Sequence, residues 1–314
     1  MEYRNLGRSG LQVSVVGLGT NNFGRRCDLD TAKSVVNKCL DLGLNLFDTA
    51  NVYGPGGTSE EYLGQALGAR RQDVVIATKF AGQMGEGPMR SGGSRKHVME
   101  ACEASLRRLG TDYIDLYQVH FPDPTTPIEE TMRALEDLVR QGKVRYIGHS
   151  NFSGWQTAEA HYVAQIHNLT PFISAQNQYS LLDRGVEREL APACQKYGLG
   201  VLPYFPLASG FLTGKYRRNE PLPDGARLSN PAMQGMASRV MTDRNWDILE
   251  KLEDFATGRG KTMTDLAVGW LASKPYVGSV IAGATKPEQV EANVQAGEWK
   301  LTADEMAEVD AIAR

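Results

Sequence analysis

Eight short runs of β-branched and apolar residues, most of them followed by a stretch of helical periodicity, constrain this 314-residue chain more than any other feature. They span residues 13–18, 44–47, 74–78, 113–117, 144–147, 172–175, 200–204 and 278–281. Amphipathic segments over 30–42, 94–109, 126–139, 153–167 and 264–273 lie between them, with Ser94 and Thr126-Pro127 in capping positions. Connections of this length are too long for hairpins and require parallel pairing. Eight parallel strands is the number that closes a (β/α)8 barrel, whereas an open doubly wound sheet uses five or six. The expected fold is therefore α/β, one domain over residues 1–314. Three segments decorate this TIM-type barrel: a hairpin from Tyr3 to Val13, a long Gly- and Pro-rich connection over 205–240 after the seventh strand, and an extra C-terminal helix capped by Thr302.

Charge and composition narrow the function. Thirty-four basic and 37 acidic residues leave a net charge of −3, which argues against a nucleic-acid or anionic-membrane footprint. No window approaches the ~18 apolar residues of a membrane helix, and the N-terminus lacks a signal-peptide pattern. Four scattered cysteines without CxxC spacing fit reduced thiols in the cytoplasm, and five histidines show no metal-ligand spacing.

Active sites of such barrels are assembled at the C-terminal ends of different strands. There the chain places Asp48 and Tyr53 after the second run, Lys79 after the third and His120 after the fourth. Each has an ordinary reading alone: a turn aspartate, a rim aromatic, a core histidine. Lys79 is the least ordinary, because lysine is almost never buried unpaired. Together they suit protonation of an oxygen. A phenol with a pKa near 10 is a better acid beside an ammonium, the ammonium is kept charged by an aspartate, and an imidazole can hold a polarised carbonyl.

Over essentially its whole length the chain resembles the aldo-keto reductases, and within them the branch holding potassium-channel β-subunits and bacterial reductases. The motifs that carry the resemblance are GLGTNNFG (17–24), NLFDTANVYGPGGTSEEYLG (45–64), VVIATKF (74–80), YIDLYQVHFPD (113–123), IGHSNFS (147–153), QNQYSLL (176–182), PYFPLASGFLTGKY (203–216) and VIAGATKPEQVEAN (280–293). The resemblance implies Tyr53 as general acid, tuned by Lys79 and Asp48, with His120 orienting the carbonyl. It implies NADPH/NADP+ as cofactor, extended across the barrel mouth, in keeping with the absence of a GxGxxG after any strand. Thr20 and Asp48 would contact the cofactor, and Ser150, Asn151 and Gln176 would hold the nicotinamide carboxamide. Tyr204 would stack on the ring, while Phe205, Pro206, Leu207, Ala208, Gly210 and Lys215 would wrap the pyrophosphate. Gly283, Thr285, Lys286, Gln289 and Asn293, with Arg227, would surround the adenosine 2′-phosphate. Ala292 stands where many relatives carry a glutamate that contacts the adenine.

Phe23, Phe80, Met84, Phe121, Phe152 and Trp155 follow strand ends and are expected to line an apolar substrate pocket, with Arg90 in a glycine-rich loop beside it. The expected substrate is a medium-sized aldehyde or ketone, and homo-oligomerisation is left open. Two other readings stand beside reduction. One is an NADP(H)-sensing regulatory module with little turnover, like the channel-associated relatives. Those relatives do not keep the histidine found here as His120, which favours an active reductase. The other is an aldolase using Lys79 as a Schiff base, which the neighbouring Asp48 and Tyr53 disfavour.

Overall fold

The computed structural model describes residues 1–314. The chain opens with a two-stranded antiparallel hairpin, β1 (Tyr3–Asn5) and β2 (Gln12–Ser14). Eight parallel strands then close a barrel: β3 (Val16–Gly19), β4 (Leu46–Asp48), β5 (Val75–Phe80), β6 (Ile114–Val119), β7 (Val144–Ser150), β8 (Ser174–Gln178), β9 (Gly200–Tyr204) and β10 (Val280–Gly283). β10 pairs with both β3 and β9, so the sheet has no free edge. The expected eight-stranded barrel, the hairpin and the C-terminal helix are all present.

Helices α1 (Leu29–Asp41), α2 (Thr58–Leu67), α3 (Arg95–Leu109), α4 (Ile128–Arg140), α5 (Gly154–His167) and α6 (Leu190–Tyr197) follow successive barrel strands. After β9 come α7 (Gln234–Val240), α8 (Asp243–Thr257) and α9 (Met263–Ala272); after β10 come α10 (Pro287–Ala296) and α11 (Ala303–Ile312). The helix starts follow capping chemistry. Asp28, Ser94, Ser153, Thr242, Thr262 and Thr302 each accept a bond from a backbone N–H in the first turn, and Ser153, Thr262 and Thr302 complete reciprocal capping boxes. The expected cap at Thr126 is not formed. Pro127 occupies the N-cap position of α4, and the Thr126 hydroxyl donates instead to Asp123 Oδ2 at 2.8 Å.

Strand alternation sorts the barrel interior into layers. The lower layers are apolar: Leu46, Val75, Ala77, Leu116, Leu202 and Ile281 pack together, and Leu6 and Val13 of the hairpin seal the cluster from below. One step of two residues further along the same strands, the inward positions turn polar: Asp48 above Leu46, Lys79 above Ala77, Gln118 above Leu116. A larger apolar cluster fills the space between the sheet and the helices. The barrel thus delivers a rigid apolar plug with a polar layer on top. No helix is long and apolar enough to cross a membrane.

Candidate active site

Asp48, Lys79 and Gln118 lie on adjacent strands, Lys79 paired in register with Gln118 and two residues beyond Ala77, the register partner of Asp48, and each is fully or almost fully buried. Lys79 Nζ donates to Asp48 Oδ2 at 2.6 Å and to the Thr49 carbonyl at 2.9 Å. It also lies 3.4 Å from the Tyr53 hydroxyl. The other Asp48 oxygen accepts from Gln176 Nε2 at 2.7 Å and from Gln118 Nε2 at 3.3 Å. Tyr53 reaches this cluster from the loop between β4 and α2. That loop is fixed from behind by Ser59, whose hydroxyl donates to the Thr20 carbonyl and bonds the Thr20 and Thr49 hydroxyls.

The electrostatics of the group follow from burial and one cation. Burial acts against the Lys79 ammonium, but Asp48 and then Tyr53 offset it and leave the pKa above the ordinary lysine value. For Tyr53, burial raises the phenol pKa, Lys79 pulls it down and Asp48 pushes it back up; the net is upward. The expected lowering by Lys79 is therefore present but outweighed by burial. The phenol stays protonated at neutral pH, and the adjacent ammonium stands ready for a phenolate. His120 packs edge-on to Tyr53, with ring centroids 5.7 Å apart, and stacks on Phe121 at 4.2 Å. Burial, helped by Lys79, pushes its pKa down to about 3, so the imidazole is neutral.

Asp48, Tyr53 and His120 form the floor of a cavity of about 730 Å³ at the barrel mouth, with the buried Lys79 beneath them. Ser150, Asn151 and Gln176 stand on one wall. Their amides are already oriented: Asn151 Nδ2 donates to the His120 carbonyl and to Ser150 Oγ, while its oxygen accepts from the Tyr204 hydroxyl at 2.8 Å. The wall continues through Tyr204, Phe205, Pro206, Leu207 and Gly210, and then through Gly283, Thr285, Lys286, Gln289 and Asn293 at β10 and α10. Non-glycine residues with positive φ gather here: Asn151 (62°), Phe205 (52°), Ala208 (45°) and Ser209 (60°). Such strain persists only where the surroundings enforce it, and it clusters at binding sites. At Gly210 a Cβ would meet Lys215 Nζ at 3.0 Å, so the glycine makes room for the ammonium.

Lys215 and Arg227 project into this half of the cavity without an acidic partner. Burial lowers the Lys215 pKa, and Arg26 and Arg227 lower it further; Arg227 is lowered by burial and then by Arg26. Arg26 itself donates to the Gly225 carbonyl at 3.0 Å, across the mouth from its own loop. Three cations, none of them in an ion pair, make this half of the cavity electropositive although Asp224 also lines it.

The residue pattern and the fold now stand together, and comparisons with known proteins agree with them. The sequence profile described as the aldo/keto reductase family matches residues 15–314. The chain belongs to the aldo/keto reductase family. It is 43% identical over 302 residues to a probable voltage-gated potassium channel subunit beta of Oryza sativa subsp. japonica, covering 94% of this chain and 91% of that protein. It is 36% identical over 319 residues to an L-glyceraldehyde 3-phosphate reductase of Escherichia coli O157:H7, covering 99% and 92%. An uncharacterized oxidoreductase of Bacillus subtilis is 38% identical over 311 residues, covering 96% and 92%. Aldo/keto reductases are oxidoreductases that generally use NADP(H) and act on small carbonyl compounds.

Several residues assigned from the sequence lie elsewhere in this aldo/keto reductase. Thr20 is fully buried, with its hydroxyl against the Asp48 carbonyl and Ser59; its neighbours Gly19 and Asn21 face the cavity instead. Ala208 is buried behind Leu207 and Ser209, which line the wall. Of the five aromatics expected in the substrate pocket, Phe121 alone lines the cavity. Phe23 and Phe80 are core residues with no exposed surface, Phe80 packing on Tyr117. Phe152 is sandwiched between His149 and Phe172. Trp155 sits outside, on the surface of α5, 62% exposed. Burying a large aromatic is worth more than exposing it at a rim, so three of the five went to the core.

Gln118 and Arg26 were not singled out from the sequence. Gln118 carried a signal, since it lies two residues before His120 at the end of β6 and alternation points it inward. Arg26 carried none, because its loop has no periodicity and its neighbours come from residue 215 onward.

Proposed function

We propose that this protein reduces small aldehydes and ketones to alcohols with NADPH, using Tyr53 as the proton donor. The placement of Lys79 Nζ between the Asp48 carboxylate and the Tyr53 hydroxyl, at the floor of a deep cavity, carries the proposal. The cavity fits the cofactor by its chemistry: oriented amides near the floor, an aromatic at Tyr204, and unneutralised cations at Arg26, Lys215 and Arg227. Ser150, Asn151 and Gln176 would hold the carboxamide, whose amide needs both donors and acceptors. Lys215, Arg227, Arg26 and Lys286 would meet phosphate groups through charge-assisted bonds, which favours NADPH over NADH.

Bound NADPH would supply a hydride to the carbonyl carbon. Tyr53 gives its proton to the carbonyl oxygen as that oxygen becomes an alcohol, and the charge left on the phenolate is met by Lys79. Asp48 keeps the ammonium charged and in place, with Gln118 and Gln176 holding the carboxylate from the far side. His120, neutral, orients the carbonyl oxygen by hydrogen bonding rather than by charge. Phe121 forms the apolar edge over which a substrate enters. Four buried cysteines, none of them in a disulfide, support a reducing compartment such as the cytoplasm as the setting of this reaction.

The test is NADPH oxidation with a panel of small aldehydes, with Tyr53→Phe as control. Steady turnover that disappears in the variant supports the reading. Tight NADPH binding without turnover on any carbonyl would favour the sensing role suggested by the names of the channel-subunit relatives.

A further inference from the structure

Of the 37 acidic residues, Asp48 and Glu60 alone are buried. Asp48 is explained by the chemistry at the floor of the cavity; Glu60 is not. Its carboxylate, in the first turn of α2, has no exposed surface, and both oxygens are engaged. Oε1 accepts from the Thr78 hydroxyl at 2.5 Å, and Oε2 from Arg108 Nε at 2.7 Å. A buried ion pair adds little stability over well-packed apolar side chains of the same volume, so stability alone does not account for it.

The segments that Glu60 joins carry the two reacting groups of the floor. Thr78 precedes Lys79 on β5, and alternation turns the two to opposite faces of the sheet: Lys79 inward to Asp48 and Tyr53, Thr78 outward to Glu60. α2 directly follows the loop that carries Tyr53, and the Ser59 N–H, beside Glu60, donates to the Tyr53 carbonyl at 3.1 Å. Upstream of Tyr53 the loop is fastened to β5 by Lys79 Nζ on the Thr49 carbonyl and by the Asn51 N–H on the Lys79 carbonyl, at 2.9 and 3.1 Å. Downstream of Tyr53, the Thr78–Glu60 contact is the one hydrogen bond to β5. Arg108 closes the group from α3. A Cβ at Gly57, where φ is 90°, would lie 2.6 Å from its Nε, so the glycine lets the loop rest directly on the guanidinium.

We propose that Glu60 is a positioning residue: by tying α2 to Thr78, it holds the Tyr53 hydroxyl within reach of Lys79 Nζ. That separation, 3.4 Å, is the longest of the three contacts Lys79 makes, and a small slide of loop against strand would break it first. Arg108 neutralises Glu60, so the effect is one of placement rather than of field. The charges that act on the Tyr53 phenol are those of Lys79 and Asp48. With the tie cut, the ammonium recedes, the phenol pKa rises further and the phenol becomes a weaker acid. The inference rests on the proton-donor role proposed above for Tyr53.

The experiment compares Thr78→Val and Thr78→Ser with the native chain, alongside Glu60→Leu combined with Arg108→Leu, which cuts the same tie and leaves no charge unpaired. Each is assayed for kcat on a responsive aldehyde and for NADPH affinity. Each is also made with a fluorinated tyrosine at position 53, whose phenol is titrated by fluorine NMR without any substrate. In Thr78→Val and in the double variant, kcat should fall roughly 10- to 100-fold, the cost of a misplaced reacting group, with NADPH affinity unchanged. The midpoint of the phenol titration should move to higher pH in both. Thr78→Ser keeps the donor and should behave as the native chain. A midpoint that stays in place in Thr78→Val overturns the proposal, whatever happens to kcat. So does a Thr78→Ser midpoint displaced as far as that of Thr78→Val, since packing would then matter and the hydrogen bond would not. Should the double variant fail to fold, the two Thr78 variants decide. A native chain that turns over no carbonyl would overturn the reductase reading, and the titrations would still decide this one.

Discussion

The floor of the cavity and its cationic rim solve opposite problems. On the floor, Lys79 and Asp48 neutralise each other at 2.6 Å, and each oxygen of Asp48 already has its donors. The group is complete without any ligand, held by strands whose register leaves it no freedom. Along the rim, Arg26, Lys215 and Arg227 repel one another and none is in an ion pair, on loops that keep Phe205 and Ser209 in left-handed backbone. An arriving anion would relieve that repulsion. Chemistry needs a preorganised floor, whereas capture of a charged ligand needs a rim whose electrostatics are left incomplete.

The largest expected effects come from breaking the floor. Tyr53→Phe should lower kcat by roughly 10²–10⁴-fold, the usual contribution of a general acid, while NADPH affinity measured by fluorescence quenching stays unchanged. Lys79→Met should be as damaging to turnover and should also cost about 3–5 kcal/mol of stability, because it leaves the Asp48 charge buried alone. Adding Asp48→Asn should restore much of the melting temperature without restoring activity. If the double variant melts no higher than Lys79→Met, the pair is not the self-neutralising unit described.

Breaking the rim should act on binding and spare the floor. Lys215→Met and Arg227→Met are each expected to weaken NADPH binding roughly 10- to 100-fold through loss of a buried charge contact; Lys215→Met should weaken NADH as much, since both cofactors carry the pyrophosphate, whereas Arg227→Met should affect NADH less. Salt should mimic them, raising KM for NADPH as ionic strength shortens the screening length. Equal losses for both cofactors in Arg227→Met would remove the 2′-phosphate from the account.

The histidines sharpen the contrast through pH. Burial pushes His149, stacked on Phe152, down to about 3, as it and Lys79 do for His120. A folded-state value below the ordinary 6.5 means that the unfolded chain takes up the proton first. Their contribution to stability is therefore full above pH 6.5 and is lost as pH falls toward 3. His149→Gln should flatten the decline of melting temperature between those values. The smallest effect is expected at the mouth: Phe121→Ala should change KM for apolar aldehydes several-fold, in line with one pocket contact, and leave kcat nearly intact.

The sequence alone determined the strand–helix count, the closure of the barrel and the convergence of Asp48, Tyr53, Lys79 and His120. Those conclusions rest on local rules. Alternation by two puts Asp48 over Leu46 and Lys79 over Ala77, and the ends of parallel strands share one rim. The tertiary structure decided what no local rule reaches. It sent Phe23, Phe80 and Phe152 into the core and Trp155 to the surface, while Phe121 stayed at the cavity. It buried Thr20, brought Arg26 to Lys215 and Arg227, and let burial outweigh Lys79 at the Tyr53 phenol. Loops after strands have no period, so the direction of each side chain is set by whichever distant residues pack against it. Burial, likewise, is a property of the assembled fold rather than of any one segment.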